Sequence, residues 1–426
     1  MSRFPGPTHG GTDAGPPVLH DFSTNAHPLG PPPAALDAVL RADRLRYPDP
    51  SYAALRTRAA DWHGVSPERV LPAGGGSEAI RRLTLTALLS GMTRVCVPQP
   101  GFGDYAAAAH ALGLQVIGYG DAFELARSLT LPSLVWVCDP CNPTGATLDA
   151  SEWAAVAVAL GQSGSQLVVD QAYEPLRLSG ASALPIAIAD GAWRLVCPNK
   201  SMGLTGVRAG YLIAPFDGLW IERVDELAPS WVVSSEGQAL LEAWTDPVVR
   251  AELESSLPVL REWRDQQWAR MAAMGFDQIS GGVANFWLAA LPAPWRETPE
   301  PLLEGLRAMG IKLRDASSFG LPGLVRVSVQ APDTVDALEA AMRTFAWRRA
   351  MPGEEPEDPL PRPLPLAGEG EATRWSSTTS MHTPFDWGDP ACDQRDPAFD
   401  QGDPPSDRED PSSERVGPAS RSGGLS

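Results

Sequence analysis

Short apolar segments alternate with alanine- and leucine-rich segments between residues 71 and 215 of this 426-residue chain. The apolar segments cover residues 94–97, 115–119, 134–138, 166–170, 194–197 and 210–214, and most are bounded by Gly, Pro or Asp, as strands are. The segments 77–90, 104–113 and 151–161 between them have the composition and spacing of helices. This alternation predicts an α/β fold, in which a mainly parallel sheet carries helices on both faces. Because ligands bind such sheets at the carboxyl ends of the strands, we expect the chemistry of the chain there.

The pattern changes after residue 229 and predicts a smaller α+β domain. A long helix runs through residues 261–274, and "ANFWLAAL" has the pattern of a strand. A helix follows near residues 298–309, where Thr298 suits the N-cap and Pro299 the first helical position. Strands near residues 312–314 and 324–329 and a closing helix over 335–348 complete this domain. The N-terminal segment "LHDFSTNAHPLGPP" is expected to join it or to cross to a partner subunit.

The C-terminal end has a composition of its own. From residue 351 onward there are sixteen Asp and Glu against six Arg, and thirteen of the 43 prolines. Such a segment buries too little apolar area to offset its conformational entropy, which predicts a disordered acidic tail; a recruitment arm is the alternative. We therefore divide the chain into an N-terminal arm with part of the small domain (1–45), a large domain (46–228), a small C-terminal domain (229–349) and the tail (350–426).

Charge, hydropathy and cysteine usage argue against several classes of protein. The net charge of −18 argues against a nucleic-acid partner. No apolar run is long enough to predict a membrane span, and the first residues do not resemble a signal peptide. The five cysteines are an odd, scattered set, which is typical of reduced thiols in the cytoplasm. Cys138 and Cys141 form a lone CxxC, which offers too few ligands for a metal site, so no metal is expected.

Lys200 is one of only two lysines in the folded part; the other is Lys312, and the remaining cations there are arginines. It follows an apolar strand within "CPNKSMGLTGVRAGY", beside glycine-rich turns. In a cleft at that place, desolvation and neighbouring cations would lower the pKa of Lys200 and make its amine nucleophilic toward an aldehyde. A surface lysine is the alternative, and the scarcity of lysine argues against it.

Further residues fit a phosphorylated pyridine aldehyde. Asp170 ends the strand "QLVVD", where a buried carboxylate needs a cationic partner such as a protonated pyridine nitrogen; capping of the next turn is the alternative. "AGGGSEAIRRL" places Gly76 and Ser77 at the start of a helix, so that free amides and the helix dipole point at one spot, as phosphate binding requires. Arg208 can add a charge-assisted contact to the same phosphate. Together with Lys200, these residues predict pyridoxal phosphate as the cofactor.

Three segments resemble the signature motifs of the fold-type-I pyridoxal-phosphate aminotransferase superfamily, in the right order and spacing: "NPTG", "VVDQAY" and "NKSMGLTGVRAGY". The resemblance covers roughly residues 18–345 and implies that residues 46–228 bind the cofactor. It implies that Lys200 forms a Schiff base with the cofactor and moves protons at the α-carbon of the substrate. It also implies that Asp170 pairs with the pyridine nitrogen, while Tyr173 and Asn142 bind the 3′-oxygen of the ring.

The same resemblance assigns the remaining cofactor contacts. "PGFGDY" resembles the segment that stacks on the cofactor, so Phe102 would cover the ring, with Tyr105 the less favoured choice. Asn199 stands where the family usually has Ser or Thr, although its amide can still donate to phosphate, and "GGGSE" lacks the Asn or Ala that is common in that loop. The residues that would hold the phosphate are Gly76, Ser77, Asn199 and Arg208.

Contacts with a partner subunit and with the substrate follow in the same way. "RYPDP" resembles the segment whose tyrosine enters the site of the neighbouring subunit, so Tyr47 implies a homodimer with shared sites. Arg326, in "GLVRVSVQ", takes the place of the arginine that clamps a substrate carboxylate with two hydrogen bonds.

Within the superfamily, the chain is most similar to threonine-phosphate decarboxylases and to histidinol-phosphate aminotransferases. "HGG", "DFSTNAHPLGPP", "YPDP" and "LRDASSFGLPGLVRVSVQ" resemble the decarboxylase group of cobalamin synthesis. Arg314 then becomes a candidate for binding the phosphate or carboxylate of the substrate; a surface salt bridge is the alternative. Asn25 and His27 would line the entrance, although His27 also fits an ordinary loop residue.

Two reactions are compatible with these motifs. Decarboxylation and transamination differ in which bond of the α-carbon stands perpendicular to the cofactor ring, and no motif reports that orientation. The resemblance favours decarboxylation of O-phospho-L-threonine to (R)-1-aminopropan-2-yl phosphate; an aminotransferase of the histidinol-phosphate or broad-specificity kind is the alternative. A small phosphorylated amino-acid substrate is expected. A scaffold or a transcription regulator is disfavoured, because the reactive residues are all present and no DNA-binding module accompanies them.

Overall fold

The computed structural model of the chain describes residues 9–350, with side chains through residue 345, and the predicted tail from residue 351 onward lies outside them. In chain order the strands are β1 (His20–Asp21), β2 (Val70–Ala73), β3 (Arg94–Pro98), β4 (Gln115–Tyr119), β5 (Leu134–Cys138), β6 (Gln166–Asp170), β7 (Trp193–Val196), β8 (Gly210–Ile213), β9 (Asp277–Gly281), β10 (Phe286–Ala290), β11 (Ile311–Lys312), β12 (Arg314–Asp315) and β13 (Leu324–Ser328). The helices are α1 (Pro33–Leu40), α2 (Ala53–His63), α3 (Gly76–Leu89), α4 (Gly103–Ala111), α5 (Ala122–Ser128), α6 (Ala150–Ser163), α7 (Ile186–Gly191), α8 (Ile221–Glu226), α9 (Ser235–Trp244), α10 (Pro247–Ala273), α11 (Glu300–Ala308) and α12 (Pro332–Ala350).

Seven strands form the central sheet, in the order β2-β8-β7-β6-β5-β3-β4. Strands β3 to β7 pair in parallel, whereas β8 runs antiparallel to both β7 and β2. The prediction of an α/β fold with a mainly parallel sheet is confirmed. The direction of β8 was not predicted: the residues between β7 and β8 form turns instead of a crossover helix, so the chain returns antiparallel.

The observed ends of the strands lie close to those predicted from the local sequence pattern. Strands β4, β5 and β6 begin and end at the predicted residues, β3 extends one residue further, and β7 begins one residue earlier. Strand β2 was missed, because its residues "VLPA" include a proline and follow a 3-10 turn at Pro67–Arg69.

Strand β5 shows why these apolar segments form a buried sheet. All five of its residues are buried. Leu134 and Trp136 pack in a cluster with side chains of α3 and α4, whereas Val135 and Val137 pack with side chains of α5 and α6. Successive side chains of a strand point to opposite faces, so one apolar run needs helices on both sides. The carboxyl ends of the strands are then the edge at which polar side chains can meet a ligand.

A second sheet of four strands, in the order β12-β13-β10-β9, is antiparallel throughout. The N-terminal segment joins this part of the chain, as one of the two predicted possibilities had it. Strand β1 pairs in parallel with β11, and the N–H of Ser328 donates to the carbonyl oxygen of Phe22 at 3.1 Å. The domain boundaries drawn from the sequence stay a prediction.

The start of α11 differs from the prediction. Its N-cap is Pro299 and its first helical residue is Glu300, so Thr298 does not cap it. With Thr298 as the N-cap, Pro301 would stand at the third helical position, where it offers no N–H to the threonine hydroxyl. None of the helices within residues 9–350 is long and apolar enough to cross a lipid bilayer.

Candidate active site

A cavity of about 690 Å³ lies at the carboxyl ends of β5, β6 and β7. The start of α3 forms one wall, and strands β12 and β13 form another. Among the site residues predicted from the sequence, only Tyr47 does not line this cavity. Those that do are Asn25, Gly76, Ser77, Phe102, Asn142, Asp170, Tyr173, Asn199, Lys200, Arg208, Arg314 and Arg326.

Asp170 is the last residue of β6 and its carboxylate is buried. The hydroxyl of Tyr105 donates to its Oδ2 at 2.6 Å, and the N–H of Ala172 donates to its Oδ1 at 3.0 Å. Burial raises the pKa of Asp170, while these two hydrogen bonds and the charge of Lys200 partly offset that rise. Tyr105 was not predicted in this role. It stacks on Trp136, with 4.8 Å between ring centroids, and is fully buried, so it holds the carboxylate of Asp170 in place.

Lys200 lies in the turn after β7, with its Nζ 5.2 Å from the ring centroid of Tyr173. The prediction that its pKa is lowered is wrong. Burial acts to lower the pKa of Lys200, but Tyr173, Cys197 and Asp170 together act more strongly, so the net pKa is raised. Among the neighbouring charges, the prediction considered only cations. In the structure, Tyr173, Cys197 and Asp170 raise the pKa of the amine by more than Arg326 lowers it.

The helix-start anion site consists of Gly76 and Ser77 at the start of α3, together with Arg208. No side chain caps this helix, so its first N–H groups are available to a ligand. Its N-cap residue, Gly75, has a φ of 99°, and a Cβ atom there would lie 2.8 Å from Nη2 of Arg208, so glycine lets the guanidinium approach. The hydroxyl of Ser77 donates to Oδ2 of Asp104 at 2.5 Å. An anion is the ligand that this arrangement favours.

The arginine-pair site consists of Arg314 and Arg326, which stand opposite each other in the antiparallel pairing of β12 with β13. Both are buried, so Arg314 is not the surface residue that was the alternative prediction. Arg326 donates to Oδ1 of Asn142 at 2.6 Å and also to the carbonyl oxygen of Ser23. Arg314 donates to Oγ of Ser318 at 2.6 Å.

Two buried guanidinium groups on facing strands repel each other. Burial lowers the pKa of Arg326 to about 10 and also lowers the pKa of Arg314. Both groups remain cationic at neutral pH. A ligand that carries negative charge would relieve this repulsion, so the pair marks a second anion site in the same cavity.

Asn25 and His27 line the cavity near this second site. Asn25 is almost completely buried, and neither its Oδ1 nor its Nδ2 has a hydrogen-bond partner among the described residues. The ring of His27 is held in place, because Leu29 N–H donates to its Nδ1 at 3.2 Å and its Nε2 lies 2.8 Å from Oγ of Ser256. Burial lowers the pKa of His27 to about 4, so the imidazole is neutral at neutral pH.

Tyr47 lies on the surface, where its exposed ring stacks on Trp231 with 4.2 Å between centroids. Its predicted reach into a partner subunit stays a prediction. Cys138 and Cys141 are buried and free, and within the described residues no cluster of His, Cys, Asp or Glu could hold a metal. The N-terminal residues His9 to Thr12 also line the cavity, which the sequence indicated only through the resemblance of "HGG".

A family model described as aminotransferase class I and II matches residues 18–345. The chain belongs to this family. A histidinol-phosphate aminotransferase of Natronomonas pharaonis is 30% identical over 325 residues, which cover 73% of this chain and 86% of that relative. One of Halorubrum lacusprofundi is 31% identical over 327 residues, which cover 73% of this chain and 84% of the relative.

Solved structures show the same fold as this aminotransferase-family chain. The histidinol-phosphate aminotransferase of Sinorhizobium meliloti, crystallised with pyridoxal-5′-phosphate, has a TM-score of 0.67 at 21% identity, covering 77% of this chain and 92% of that one. A double mutant of Thermus thermophilus aspartate aminotransferase has a TM-score of 0.67 at 23% identity, covering 78% and 91%. The predictions of the superfamily, of an enzyme and of pyridoxal phosphate as its cofactor are confirmed.

The cavity of this class I and II family member fits the cofactor on its own geometry. The helix-start anion site offers free N–H groups and a guanidinium for a phosphate. Asp170 offers a buried carboxylate for a pyridinium nitrogen, and Lys200 offers an amine for the aldehyde. When bound, pyridoxal phosphate supplies an electron sink that stabilises negative charge on the α-carbon of the substrate.

Proposed function

We propose that this chain transfers an amino group between a small phosphorylated amine and a keto acid, as an aminotransferase of the histidinol-phosphate kind. The observation that carries the proposal is the presence of two separate anion sites in one cavity. The helix-start anion site suits the phosphate of the cofactor, which leaves the arginine-pair site for a phosphate or carboxylate of the substrate. The relatives named histidinol-phosphate aminotransferase support the transferase reaction and the phosphorylated substrate.

We assign the cofactor contacts as the sequence predicted them. Asp170 holds the pyridine nitrogen in its protonated form, and Tyr173 and Asn142 bind the 3′-oxygen. Phe102 covers one face of the ring from the start of α4. The phosphate contacts belong to Gly76, Ser77, Asn199 and Arg208. Ser77 contributes chiefly through its main-chain N–H, because its only hydroxyl proton is donated to Asp104.

Lys200 is proposed to bind the cofactor and then to move the proton at the α-carbon of the substrate. Its raised pKa means that the amine is protonated before it meets the aldehyde. It must therefore lose a proton to become a nucleophile. The same acidic neighbours favour return of a proton to the amine, which suits a group that takes a proton at one step and gives it back at the next.

The substrate contacts are proposed for Arg326, Arg314 and Asn25. A buried side-chain amide without partners is costly, and a substrate with polar groups would satisfy its donor and its acceptor. Arg326 already shares one N–H with Asn142, so it links the bound substrate to a residue proposed to hold the cofactor ring.

The remaining proposals concern the oligomeric state, the domains and the location of the protein. We propose a homodimer in which Tyr47 reaches the site of the partner, since its exposed ring has no place in the cavity of its own chain. We also retain the domain division after residues 45, 228 and 349 and a cytoplasmic location, which the free cysteines of the described residues support. Mixing Tyr47→Ala with Lys200→Ala subunits tests the shared site: restored activity is expected, and persistent inactivity contradicts it.

Decarboxylation of O-phospho-L-threonine is the second candidate. The observation that favours it is the N-terminal segment, because residues 9–12 line the cavity although they precede the range matched by the family model. A cavity lined in part by residues outside the matched range suits a substrate different from that of the histidinol-phosphate relatives. The same residues would serve both reactions, since only the orientation of the α-carbon differs.

One pair of assays separates the two candidates. Purified protein loaded with pyridoxal phosphate is given L-histidinol phosphate with 2-oxoglutarate, and glutamate is measured. In parallel it is given O-phospho-L-threonine without a keto acid, and carbon dioxide is measured. Glutamate formation supports transamination, whereas carbon dioxide release without a keto acid favours the second candidate. If Lys200→Ala shows the same turnover as the unaltered chain, both are contradicted.

A further inference from the structure

The chain contains only two lysines, and only one of them lies in the cavity. Lys312, on β11, points to the N-terminal segment instead. Its Nζ donates to Oδ2 of Asp13 at 2.6 Å and also to the carbonyl oxygen of Gly11. Arg307, on α11, donates to the other carboxylate oxygen of Asp13 at 2.6 Å. Two cations from two elements therefore hold one short stretch of the N-terminus.

This stretch, residues 9–15, is named here the N-terminal strap. Its middle runs directly along the cavity wall: a Cβ atom on Gly10 would lie 2.0 Å from the carbonyl oxygen of Ser23, so only glycine allows this approach. The N–H of Gly11 donates to Oγ of Ser23 at 2.9 Å. The middle of the strap is thus held against Ser23, whose carbonyl oxygen also accepts a hydrogen bond from Arg326.

The inner end of the strap meets the residues proposed to hold the cofactor. The ring of His9 lies 5.7 Å from the ring of Phe102, centroid to centroid. Its Nε2 lies 3.4 Å from Oδ1 of Asp104, whose other oxygen receives the hydroxyl of Ser77. His9 therefore stands between solvent and both the ring-stacking residue and the helix-start anion site.

We propose that the N-terminal strap retains bound pyridoxal phosphate, and that Lys312 is the positioning residue that keeps the strap closed. The outer end is held by charge at Asp13, and the inner end covers Phe102 and Asp104. Opening the strap removes His9 from both and leaves a path out of the cavity. The inference concerns retention of the cofactor and holds for either reaction.

Salt should weaken the ion pairs that hold Asp13. Asp13 is about half exposed, whereas Lys312 and Arg307 are mostly buried. The hydrogen bond from Lys312 is the largest of the causes that lower the pKa of Asp13. Partly exposed ion pairs weaken as salt rises, because the Debye length falls to about 3 Å at 1 M. High salt should therefore mimic the loss of Lys312.

The test measures release of cofactor from the loaded full-length protein. Alkaline phosphatase hydrolyses pyridoxal phosphate once it is free, so decay of the protein-bound absorbance band reports the dissociation rate. Lys312→Met and Asp13→Asn are each expected to speed release by about fivefold. The double variant should release the cofactor no faster than Asp13→Asn alone, because Asp13→Asn already removes the charge that both Lys312 and Arg307 contact. Lys312→Arg should keep the original rate. Asp277→Asn, which breaks an exposed ion pair with Arg296 elsewhere, is the control.

Hydrogen–deuterium exchange of the peptide covering the strap shows whether release acts through it. Faster exchange in Lys312→Met, with no change in the melting temperature, supports the proposal. A larger effect of 1 M salt on release from the unaltered chain than from Lys312→Met also supports it, because Arg307 still contacts Asp13 in the variant. Unchanged release in both single variants overturns it. Faster release without faster exchange of the strap also overturns it, because the effect would then come from another part of the cavity.

Discussion

The two anion sites of the cavity are built in opposite ways. The helix-start anion site takes its donors from the main chain of α3 and adds one arginine that is exposed. The arginine-pair site takes its donors from two buried side chains on facing strands and adds none from a helix end. A site made from main-chain amides tolerates many side chains but depends on local backbone geometry. A site made from buried side chains is specific but costs charge repulsion, so it suits the ligand that distinguishes one enzyme from another.

Lys200 lines the cavity that contains both anion sites, and its replacement should separate chemistry from binding. Lys200→Ala should lower turnover by roughly 10⁴-fold or more, because both the nucleophile and the proton carrier are lost. Both anion sites should persist, so pyridoxal phosphate should still bind, without the absorbance band of the unaltered protein. Steady-state turnover and a spectrum check this, with Lys312→Arg as the control. Turnover above a hundredth of the original would contradict it.

Arg326 should affect the substrate far more than the cofactor. Arg326→Ala should raise KM for the phosphorylated substrate by about 100-fold, because a buried charged hydrogen bond contributes about 1.5–3 kcal/mol. Cofactor affinity, measured by titration of the absorbance band, should change much less. Arg326→Lys keeps the charge but loses the paired donors, so it should give an intermediate KM. Equal losses of cofactor and substrate affinity would show that the two sites are not separate.

Replacing Arg208 should affect binding of the cofactor more than binding of the substrate, and the effect should be smaller than that of replacing Arg326. Its guanidinium is exposed, so solvent weakens its contact with a phosphate. Arg208→Ala should raise the Kd of pyridoxal phosphate about tenfold and leave KM for the substrate nearly unchanged. Arg223→Ala removes another arginine, which donates to the carbonyl oxygen of Leu89, and serves as the control. A change in KM larger than the change in Kd would reverse the assignment of the two sites.

Acid should lower the stability of the fold through His27, which lines the cavity. Its pKa is about 4 in the folded chain and about 6.5 when unfolded, so the unfolded chain binds the extra proton between these values. The stability that it contributes is present above pH 6.5 and is lost as the pH falls toward 4. Thermal unfolding at pH 7 and pH 5 should therefore show a loss that is about 1–2 kcal/mol smaller in His27→Gln. Equal losses in both proteins would show that His27 is not held neutral.

The sequence predicted most of what local pattern controls. The five strands from β3 to β7 and the glycine-rich start of α3 follow from nearby residues, because burial on both faces and an uncapped helix start leave a local trace. The reversal at β8 and the missed strand β2 have no such trace, since each depends on a pairing partner far along the chain. Strand direction is decided by the connection and the sheet edge that remains free.

The residue types of the site could also be predicted from the sequence, whereas its electrostatics could not. The residue types at Lys200, Asp170 and Arg208 were sufficient to predict the cofactor. The pKa of Lys200 was not predictable, because it depends on which charges the fold brings near the amine. Tyr105 as the donor to Asp170 also required the fold, since 65 residues separate them in the chain. Long-range contacts therefore fix the electrostatics of a site whose chemistry is visible locally.

The proposed binding of the substrate by Arg314 and Arg326 depends on how β12 and β13 are aligned. β12 ends at Asp315 and β13 begins at Leu324, so the length of the turn between them sets which residues face each other. Because side chains alternate between faces, a shift of one residue would turn an arginine out of the cavity. An insertion or deletion in residues 316–323 is then expected to change the affinity for the substrate more than the affinity for the cofactor. The same loop also reaches the site, because Ser318 accepts a hydrogen bond from Arg314 and Phe319 lines the cavity, so both its length and its side chains affect specificity.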